Sequence, residues 1–487
     1  MHRISAGITL NDNSPVGASP ISLPLFPLPL SDFEYYMLSD DRPTHPMVFV
    51  MTVHVSGALS EQPLRESLSE LLLSHPLLDC RVEKLRGLGW CWVRQTGSAE
   101  LLDWHSTDQA VVIGFVPVVR RISLQREPGI FVDVCAARDC ATIVVYLHHS
   151  CCDGIGAMQL IGELFARYGR KTAGPDSKRP EFEPPDASAL RLREIYGTRE
   201  SVSGRQRKSL KRSIGKIARL LLRKPVLLAG SVRIPVTGST QTQRAIQSKL
   251  LPRSLNRSLR AVASQRKVSI NDLFVREMLL HIRDWNRRAQ QPFGRRWIRL
   301  AVPLSMRTSL HDKVPACNIV SYALVTRREQ DCDDPEALLQ SIHQQTSDVL
   351  FNREGIVCLK LFRALRKIPG AMNLFLSLKS CLSTMVLANV GDVRRRFSGR
   401  FPLQKGKWIA GNVVVEQLHG VAPVRPNTRA AMSIGEYAGE LSVNLRTDSM
   451  AINAEDSERF LSEYLDRLRL LAETEPELTA TGPDEVS

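Results

Sequence analysis

The chain has 487 residues, of which 43% are hydrophobic, 24% charged and 6% aromatic. This composition excludes a disordered or fibrous protein, and the length exceeds what a single hydrophobic core serves, so we expect two domains. The net charge of +15 indicates an anionic partner, and by itself it does not choose between nucleic acid, a membrane surface and an acidic cofactor.

The beginning of the chain and its cysteines indicate the compartment. Residues 1–22 are polar and rich in Gly, Pro and Ser, without the apolar segment of a secretory signal, so we expect a disordered leader. The ten cysteines are scattered along a chain that needs no disulfides to stabilise its core. The sequence contains no run of about 18 apolar residues, so no membrane-spanning helix is predicted. We therefore expect a cytoplasmic protein.

Residues 23–170 have the pattern of a first α/β subdomain. A β-branched apolar run at 47–55 predicts a strand, and an apolar stripe with a 3.6-residue period predicts a helix over 59–78. Strand-like patterns resume at 80–82 and 89–93. The predicted order is strand, helix, strands.

A strand-to-helix junction closes this subdomain. The run ATIVVYL at 141–147 predicts a buried strand, and apolar residues recur at helical spacing from Ile155. Between them lies HHSCCDG, residues 148–154. Such a junction holds polar side chains rigidly at the edge of a core.

Residues 171–242 are predicted to form a linker, Pro-rich at first and then strongly basic. The stretch 205–224 interleaves leucine and isoleucine with arginine and lysine, which is typical of an interfacial helix on an anionic membrane or lipid-droplet surface. A solvated linker helix has the same pattern, so both interpretations stay open. Nucleic-acid binding is not predicted, because neither a recognition fold nor interleaved aromatics accompany the charges.

The second half, 243–473, predicts another mixed α/β subdomain. A strand is expected at 244–251 and helices at 255–263 and 273–285, the last with N-capping residues from Ser269. Further strands are expected at 298–302, 319–325, 413–416, 431–434 and 441–445, followed by a helix over 457–472. Residues 474–487 are expected to be an acidic, solvated tail.

The junction at 148–154 carries the residues suited to catalysis. A histidine with an ordinary pKa near 6.5 accepts a proton at neutral pH, and a well-placed one contributes about 10² to 10⁴ in rate. Attack of an alcohol or amine on a thioester needs such a base, because the nucleophile is weak until its proton is removed. We interpret His149 as the general base, Asp153 as the residue that fixes its geometry and Gly154 as the residue that permits a tight turn into the helix.

A metal site is the main chemical alternative at the same segment. His148, His149, Cys151 and Cys152 offer nitrogen and sulfur ligands close together. Zinc sites usually need a second ligand pair further along the chain, which is absent here. We therefore predict no metal and interpret the two cysteines as small buried side chains.

The pattern HHxxxDG at 148–154 resembles that of the coenzyme A-dependent acyltransferase superfamily, which includes condensation domains, polyketide-associated acyltransferases and alcohol acetyltransferases. The sequence is most similar to the bacterial wax ester synthase/diacylglycerol acyltransferase family. Further similar segments are PLSDFE (29–34), THPM (44–47), VSINDL (268–273), VPLSMR (302–307), NIVS (318–321) and NVG (389–391). The resemblance covers residues from about 24 to 472.

This resemblance implies two chloramphenicol acetyltransferase-like α/β sandwich subdomains with mixed sheets and an active-site tunnel between them. Donor and acceptor would enter from opposite faces and meet at His149, while His148 would support the loop. Asp153 would pair with an arginine. Asn318, Asn389 and Gly391 would belong to the substrate channel.

Two positions depart from the patterns of these families. Condensation-type relatives have an arginine shortly after the histidine that matches His75, where this chain has Asp79, with Arg81 two residues later. The arginine partner of Asp153 therefore stays open. Gly391 stands where the wax ester family tends to have a proline.

The leading hypothesis is an O-acyltransferase that moves a fatty acyl group from acyl-CoA to a long-chain alcohol or diacylglycerol. Acyl-CoA would be the donor substrate, and no permanently bound cofactor is expected. A condensation-type or polyketide-associated enzyme that takes its acyl group from an acyl carrier protein is the second hypothesis, and the net positive charge suits that acidic partner equally well. A catalytically inactive acyl-binding or interaction protein is the third.

Overall fold

The protein is described from a computed structural model. The described residues are 24–95, 100–107, 119–195, 215, 222–230, 246–351, 356–377, 382–397 and 399–473. The predicted leader 1–22, the tail 474–487 and most of the basic stretch 205–224 lie outside these residues, so the expectations placed on them stay predictions.

The secondary structure alternates between strands and helices along the chain. In chain order the strands are β1 (Leu28–Pro29), β2 (Val48–Ser56), β3 (Cys80–Leu85), β4 (Gly89–Arg94), β5 (Leu102–Ser106), β6 (Ile130–Ala136), β7 (Cys140–His148), β8 (Ile246–Leu251), β9 (Ile298–Ser305), β10 (Val320–Arg327), β11 (Met385–Asp392), β12 (Leu403–Gln404), β13 (Lys407–Ala410), β14 (Val413–Val421), β15 (Ala430–Tyr437) and β16 (Glu440–Thr447). The helices are α1 (Asp32–Asp40), α2 (Glu61–Ser74), α3 (Gly154–Thr172), α4 (Arg253–Gln265), α5 (Ile270–Arg288), α6 (Pro335–Phe351), α7 (Ile356–Lys367), α8 (Ala371–Ser377) and α9 (Ala454–Glu473).

Two large mixed sheets and one small sheet organise these elements. The first large sheet has the strand order β12-β13-β14-β2-β7-β6-β5, and only its β5–β6 pair is parallel. The second has the order β10-β9-β11-β15-β16-β8, with β11 parallel to both of its neighbours. The small sheet has the order β1-β4-β3. The predicted mixed α/β class is confirmed.

The first sheet is completed by strands from the far end of the chain. β14 pairs antiparallel with β2, from Val414 opposite Ser56 to Val421 opposite Val50. Because β14 pairs along most of β2, that edge of β2 is covered rather than open to another chain. Residues 403–421 thus belong to the first sheet, although the sequence-based boundaries group them with the second subdomain.

The two halves also meet through a buried aromatic cluster around α1. The Tyr36 ring stacks on Phe362 of α7 with a centroid separation of 4.2 Å, and Phe33 packs against Phe362 at 6.2 Å. Arg363 of α7 donates to the carboxylate of Asp32 at 2.7 Å. Helices of the second half therefore pack directly on the first.

The junction that carries the candidate site follows from local sequence. β7 is buried on both faces from Ala141 to His148, which explains its continuous apolar run. Asp153 ends the loop as the N-cap of α3, and its carboxylate accepts the Gly156 N–H at 2.9 Å. Among the described residues, no helix combines the length and apolarity needed to cross a membrane.

Candidate active site

His149 lies in the loop between β7 and α3, at the wall of a cavity between the two large sheets. Its backbone N–H donates to the Met47 carbonyl at 2.7 Å, which fixes the loop beside the start of β2. The imidazole is half-buried and packs edge-on against Phe49, with ring centroids 5.2 Å apart, and more loosely against Phe33. Nδ1 is enclosed in the protein, which leaves Nε2 as the nitrogen that can reach a substrate.

The surroundings of His149 favour the neutral form of its imidazole. Burial among apolar side chains lowers its pKa below the ordinary value of 6.5, and the nearby Asp153 carboxylate offsets only part of this effect. A neutral imidazole at pH 7 has a lone pair available to accept a proton. The ring can therefore act as a general base without first losing a proton of its own.

Asp153 is bound on every side rather than directed at a substrate. Arg307, which follows β9, donates through Nη1 to Oδ2 at 2.8 Å and through Nη2 to Oδ1 at 3.0 Å. The backbone N–H of Gly156 donates to Oδ1 and that of Ile319 to Oδ2, both at 2.9 Å. Burial raises the pKa of this carboxyl, but Arg307 and these backbone donors outweigh burial and hold the pKa below its ordinary value. Asp153 is an ionised brace between the two halves.

The arginine partner of Asp153 is thereby settled in this structure. Arg307 occupies that position, and its Nη2 also donates to the Cys317 carbonyl at 3.1 Å. Arg81, close in sequence to the position where condensation-type relatives have an arginine, instead pairs with Glu83 at 2.6 Å. The bond between Arg307 and Asp153 joins residues that are 154 positions apart along the chain.

Asn318 holds the backbone of the histidine loop. Its Nδ2 donates to the carbonyls of His149 at 2.8 Å and of Ser150 at 2.9 Å, and its side chain is fully buried. It is not among the residues that line the cavity. The placement differs from the channel position expected from sequence, because the amide is used to satisfy two loop carbonyls.

His148 points away from the cavity into the protein. It is fully buried, and its Nδ1 accepts the Ser150 N–H at 3.1 Å, so the ring hydrogen is on Nε2. Nε2 lies 3.9 Å from the Asp41 carboxylate, which itself accepts the Met47 N–H at 2.8 Å. These contacts connect the loop to the segment that follows α1.

A third buried histidine braces the opposite side of the site. Nδ1 of His75 accepts the Ala316 N–H at 2.9 Å, and Nε2 lies 3.1 Å from Glu163 of α3. Ala316 directly precedes the residues that bind Asp153 and the histidine loop. The sequence alone offered no signal for this role, since the three residues are far apart along the chain.

Gly154 leaves space for a neighbouring strand rather than making a turn. It is the first helical residue of α3 and does not adopt the left-handed conformation that favours glycine. A Cβ at this position would lie 3.1 Å from Cγ1 of Val390 on β11. The expectation of a tight turn is therefore wrong, and the glycine instead lets the second sheet approach the helix.

The cavity itself is mainly apolar and has a volume of about 1190 Å³, part of it open to solvent. Four methionines line it: Met37, Met47, Met51 and Met158. Asn389 also lines it, as expected, whereas Gly391 is not among its lining residues. Arg425, another lining residue, forms a buried ion pair with Asp40. No cluster of three metal-ligating side chains occurs among the described residues.

The structure was compared with solved structures once this geometry was established. Trichothecene 15-O-acetyltransferase from Fusarium sporotrichioides is similar with a TM-score of 0.64 at 11% identity, over 91% of this chain and 95% of that one. Polyketide synthase associated protein 5 from Mycobacterium tuberculosis gives 0.58 at 16% identity, over 92% and 98%. The starter condensation domain of rhizomide synthetase, solved with C8-CoA and Leu-SNAC, gives 0.61 at 12% identity, over 91% and 94%.

The chain has the condensation-domain fold. The expected architecture, shared with acyltransferases of the same fold, is thus confirmed. At these identities the similarity shows the fold alone. No family model matches the sequence, and no curated protein matches it either.

Proposed function

We propose that the protein is an acyltransferase that moves an acyl group from a thioester to a hydroxyl or amine, with His149 as the general base. The observation that carries the proposal is the position of His149 at the wall of a cavity that both large sheets line, with its Nδ1 enclosed in the protein. Trichothecene 15-O-acetyltransferase, which has the same fold, supports the reaction class.

The proposed reaction uses one proton relay. Nε2 of His149 takes the proton of the acceptor hydroxyl or amine as its oxygen or nitrogen attacks the thioester carbonyl carbon. The resulting tetrahedral intermediate expels the thiolate, which takes the proton back from the imidazolium to leave as a thiol. Asp153, Arg307 and Asn318 do not touch the reacting atoms in this scheme, and act as positioning residues that hold the loop.

The cavity wall favours a fatty acyl group among the acyl classes. Methionine side chains are flexible and polarisable, so the four that line the cavity can adapt to an extended hydrocarbon. We propose a long-chain acyl-CoA as donor and a long-chain alcohol or diacylglycerol as acceptor. A carrier-protein thioester remains the second candidate for the donor, because the fold neighbours include condensation domains and a polyketide synthase associated protein.

The test compares the wild type with His149→Ala and a control, His105→Ala, whose side chain is 64% exposed at another part of the first sheet. Palmitoyl-CoA or a palmitoyl-loaded carrier protein is supplied with hexadecanol, diacylglycerol, short alcohols or the corresponding amines. Release of free thiol and the extracted lipid products are both measured. Circular dichroism checks that each variant is folded.

We expect ester formation by the wild type and the control, and a loss of about 10² to 10⁴ in rate for His149→Ala. The donor and acceptor that give product identify the finer activity. A folded wild type that binds palmitoyl-CoA but turns over neither donor with any acceptor would overturn the proposal in favour of an acyl-binding protein.

A further inference from the structure

One of the charged side chains that line the cavity is not neutralised. Arg307 is paired with Asp153, and Arg425 with Asp40. Arg396 also lines the cavity, yet no carboxylate lies within ion-pair distance of it among the described residues. Its side chain is exposed, which places it at the cavity mouth.

The structure holds this guanidinium in place. Nε of Arg396 donates to the Val390 carbonyl at 2.8 Å. Gly391 next to it adopts φ +73°, and a Cβ there would lie 3.3 Å from Nη2 of the arginine. The glycine thus leaves room for the guanidinium against the backbone of β11. Within the described part of the chain, its other N–H groups make no hydrogen bond.

The neighbouring arginines do not share this situation. Nε of Arg394 lies 3.5 Å, and that of Arg395 3.6 Å, from the carboxylate of Asp392. Arg395 is 87% exposed and is not among the cavity-lining residues. Of three consecutive arginines, only Arg396 presents an unpaired charge at the mouth.

The charges around Arg396 leave its guanidinium available to an anion. Partial burial and the positive charge of Arg307 lower the pKa of Arg396, while the carboxylates of Asp153 and Asp392 act in the opposite direction. A planar guanidinium suits the oxygens of a phosphate, so an anion at the mouth would pair with it.

We propose that Arg396 binds the phosphate of the phosphopantetheine arm of the donor thioester. This arm would lead from the cavity mouth to His149. The inference rests on the proposed function, since it assumes a pantetheine thioester as donor. The phosphopantetheine phosphate is common to coenzyme A and to carrier proteins. Arg396 is thus a binding residue for the donor and takes no part in proton transfer.

The test measures binding without turnover, so it does not depend on acyl transfer. Isothermal titration calorimetry is carried out with coenzyme A, 4′-phosphopantetheine and pantetheine, which lacks the phosphate. The full-length wild type is compared with Arg396→Gln and with the matched control Arg395→Gln. Thermal unfolding is used to check that the two variants are equally stable.

Arg396→Gln should weaken the binding of 4′-phosphopantetheine and coenzyme A about tenfold and leave that of pantetheine unchanged. Arg395→Gln should change none of the three. A loss confined to coenzyme A would overturn the assignment to the phosphopantetheine phosphate, because only coenzyme A carries the nucleotide phosphates. Equal weakening of pantetheine, or no change with either phosphorylated ligand, overturns the proposal. These binding differences can be measured even if the transfer reaction is absent, so the two proposals can fail separately.

Discussion

Replacement of Asp153 by asparagine tests whether this carboxylate joins the two halves at the active site. In Asp153→Asn, the remaining oxygen can still accept the Gly156 N–H, so the cap of α3 is kept. The amide NH₂ takes the place of Oδ2, which accepts from Arg307 Nη1 at 2.8 Å and from the Ile319 N–H at 2.9 Å. Both buried donors lose their acceptor, because an amide nitrogen accepts no hydrogen bond.

The magnitude follows from the burial of the pair. Removal of one partner of a buried ion pair costs about 3–5 kcal/mol. The Arg307 side chain keeps 21% of its exposure and its bond to the Cys317 carbonyl, so we expect the lower end, about 3 kcal/mol. Arg307→Gln should cost a similar amount, and the double variant should show a coupling energy of about 2 kcal/mol in a double-mutant cycle.

Urea unfolding of the four proteins at pH 7 measures these values, and the same series in acid gives the sign of the effect. The pKa of Asp153 is lower in the folded protein than its unfolded value of about 3.9. Its contribution to stability is therefore complete above pH of about 4 and is lost as the pH falls through the folded-state pKa. Asp153→Asn should lack this part of the acid dependence. A structural role for the pair would be refuted if each single variant lost less than about 0.5 kcal/mol and the two losses were additive.

Three further predictions concern the site and the helix that follows it. Since burial lowers the pKa of His149, the acidic limb of the kcat/KM pH profile should have its midpoint below 6.5, and a midpoint above it would contradict the buried-base assignment. Asn318→Ala removes the donor to two loop carbonyls, so urea unfolding should show a loss of stability of about 2 kcal/mol. Initial rates should show a lower kcat at a nearly unchanged KM. Unaltered stability and kcat would exclude the bracing role. Gly162→Ala places a Cβ 2.4 Å from Cγ of Phe397. The cost of this overpacking, about 1–3 kcal/mol, exceeds the gain of about 1 kcal/mol in helix propensity, so the variant should unfold at a lower temperature. A higher unfolding midpoint would show that the Phe397 ring can move aside.

The sequence predicted the elements whose signal is local. β7 and α3 lie close to the expected bounds, because a β-branched run and a 3.6-residue apolar period each reflect short-range packing. The cap at Ser269 is confirmed as well, with the Asp272 N–H donating to its hydroxyl at 3.1 Å. The HHxxxDG pattern located His149 at a strand-to-helix junction for the same reason.

Interactions between distant segments could not be predicted in this way. The pairing of Arg307 with Asp153 depends on how the second sheet packs against α3, and neither residue carries a local signal for the other. The assignment of β14 to the first sheet has the same origin, since its alternation fits either sheet. Helix α8 has only seven residues, too few for a period to be recognised.

These long-range bonds also restrict how substrates can enter. Separation of the two sheets at the histidine loop would break the bonds from Arg307 and Ile319 to Asp153 and those from Asn318 to the loop carbonyls. These bonds oppose parting of the sheets, so under the proposed function we expect substrates to reach His149 through the existing cavity mouth. Arg396, at that mouth, would then meet the donor first while the histidine loop keeps its own hydrogen bonds.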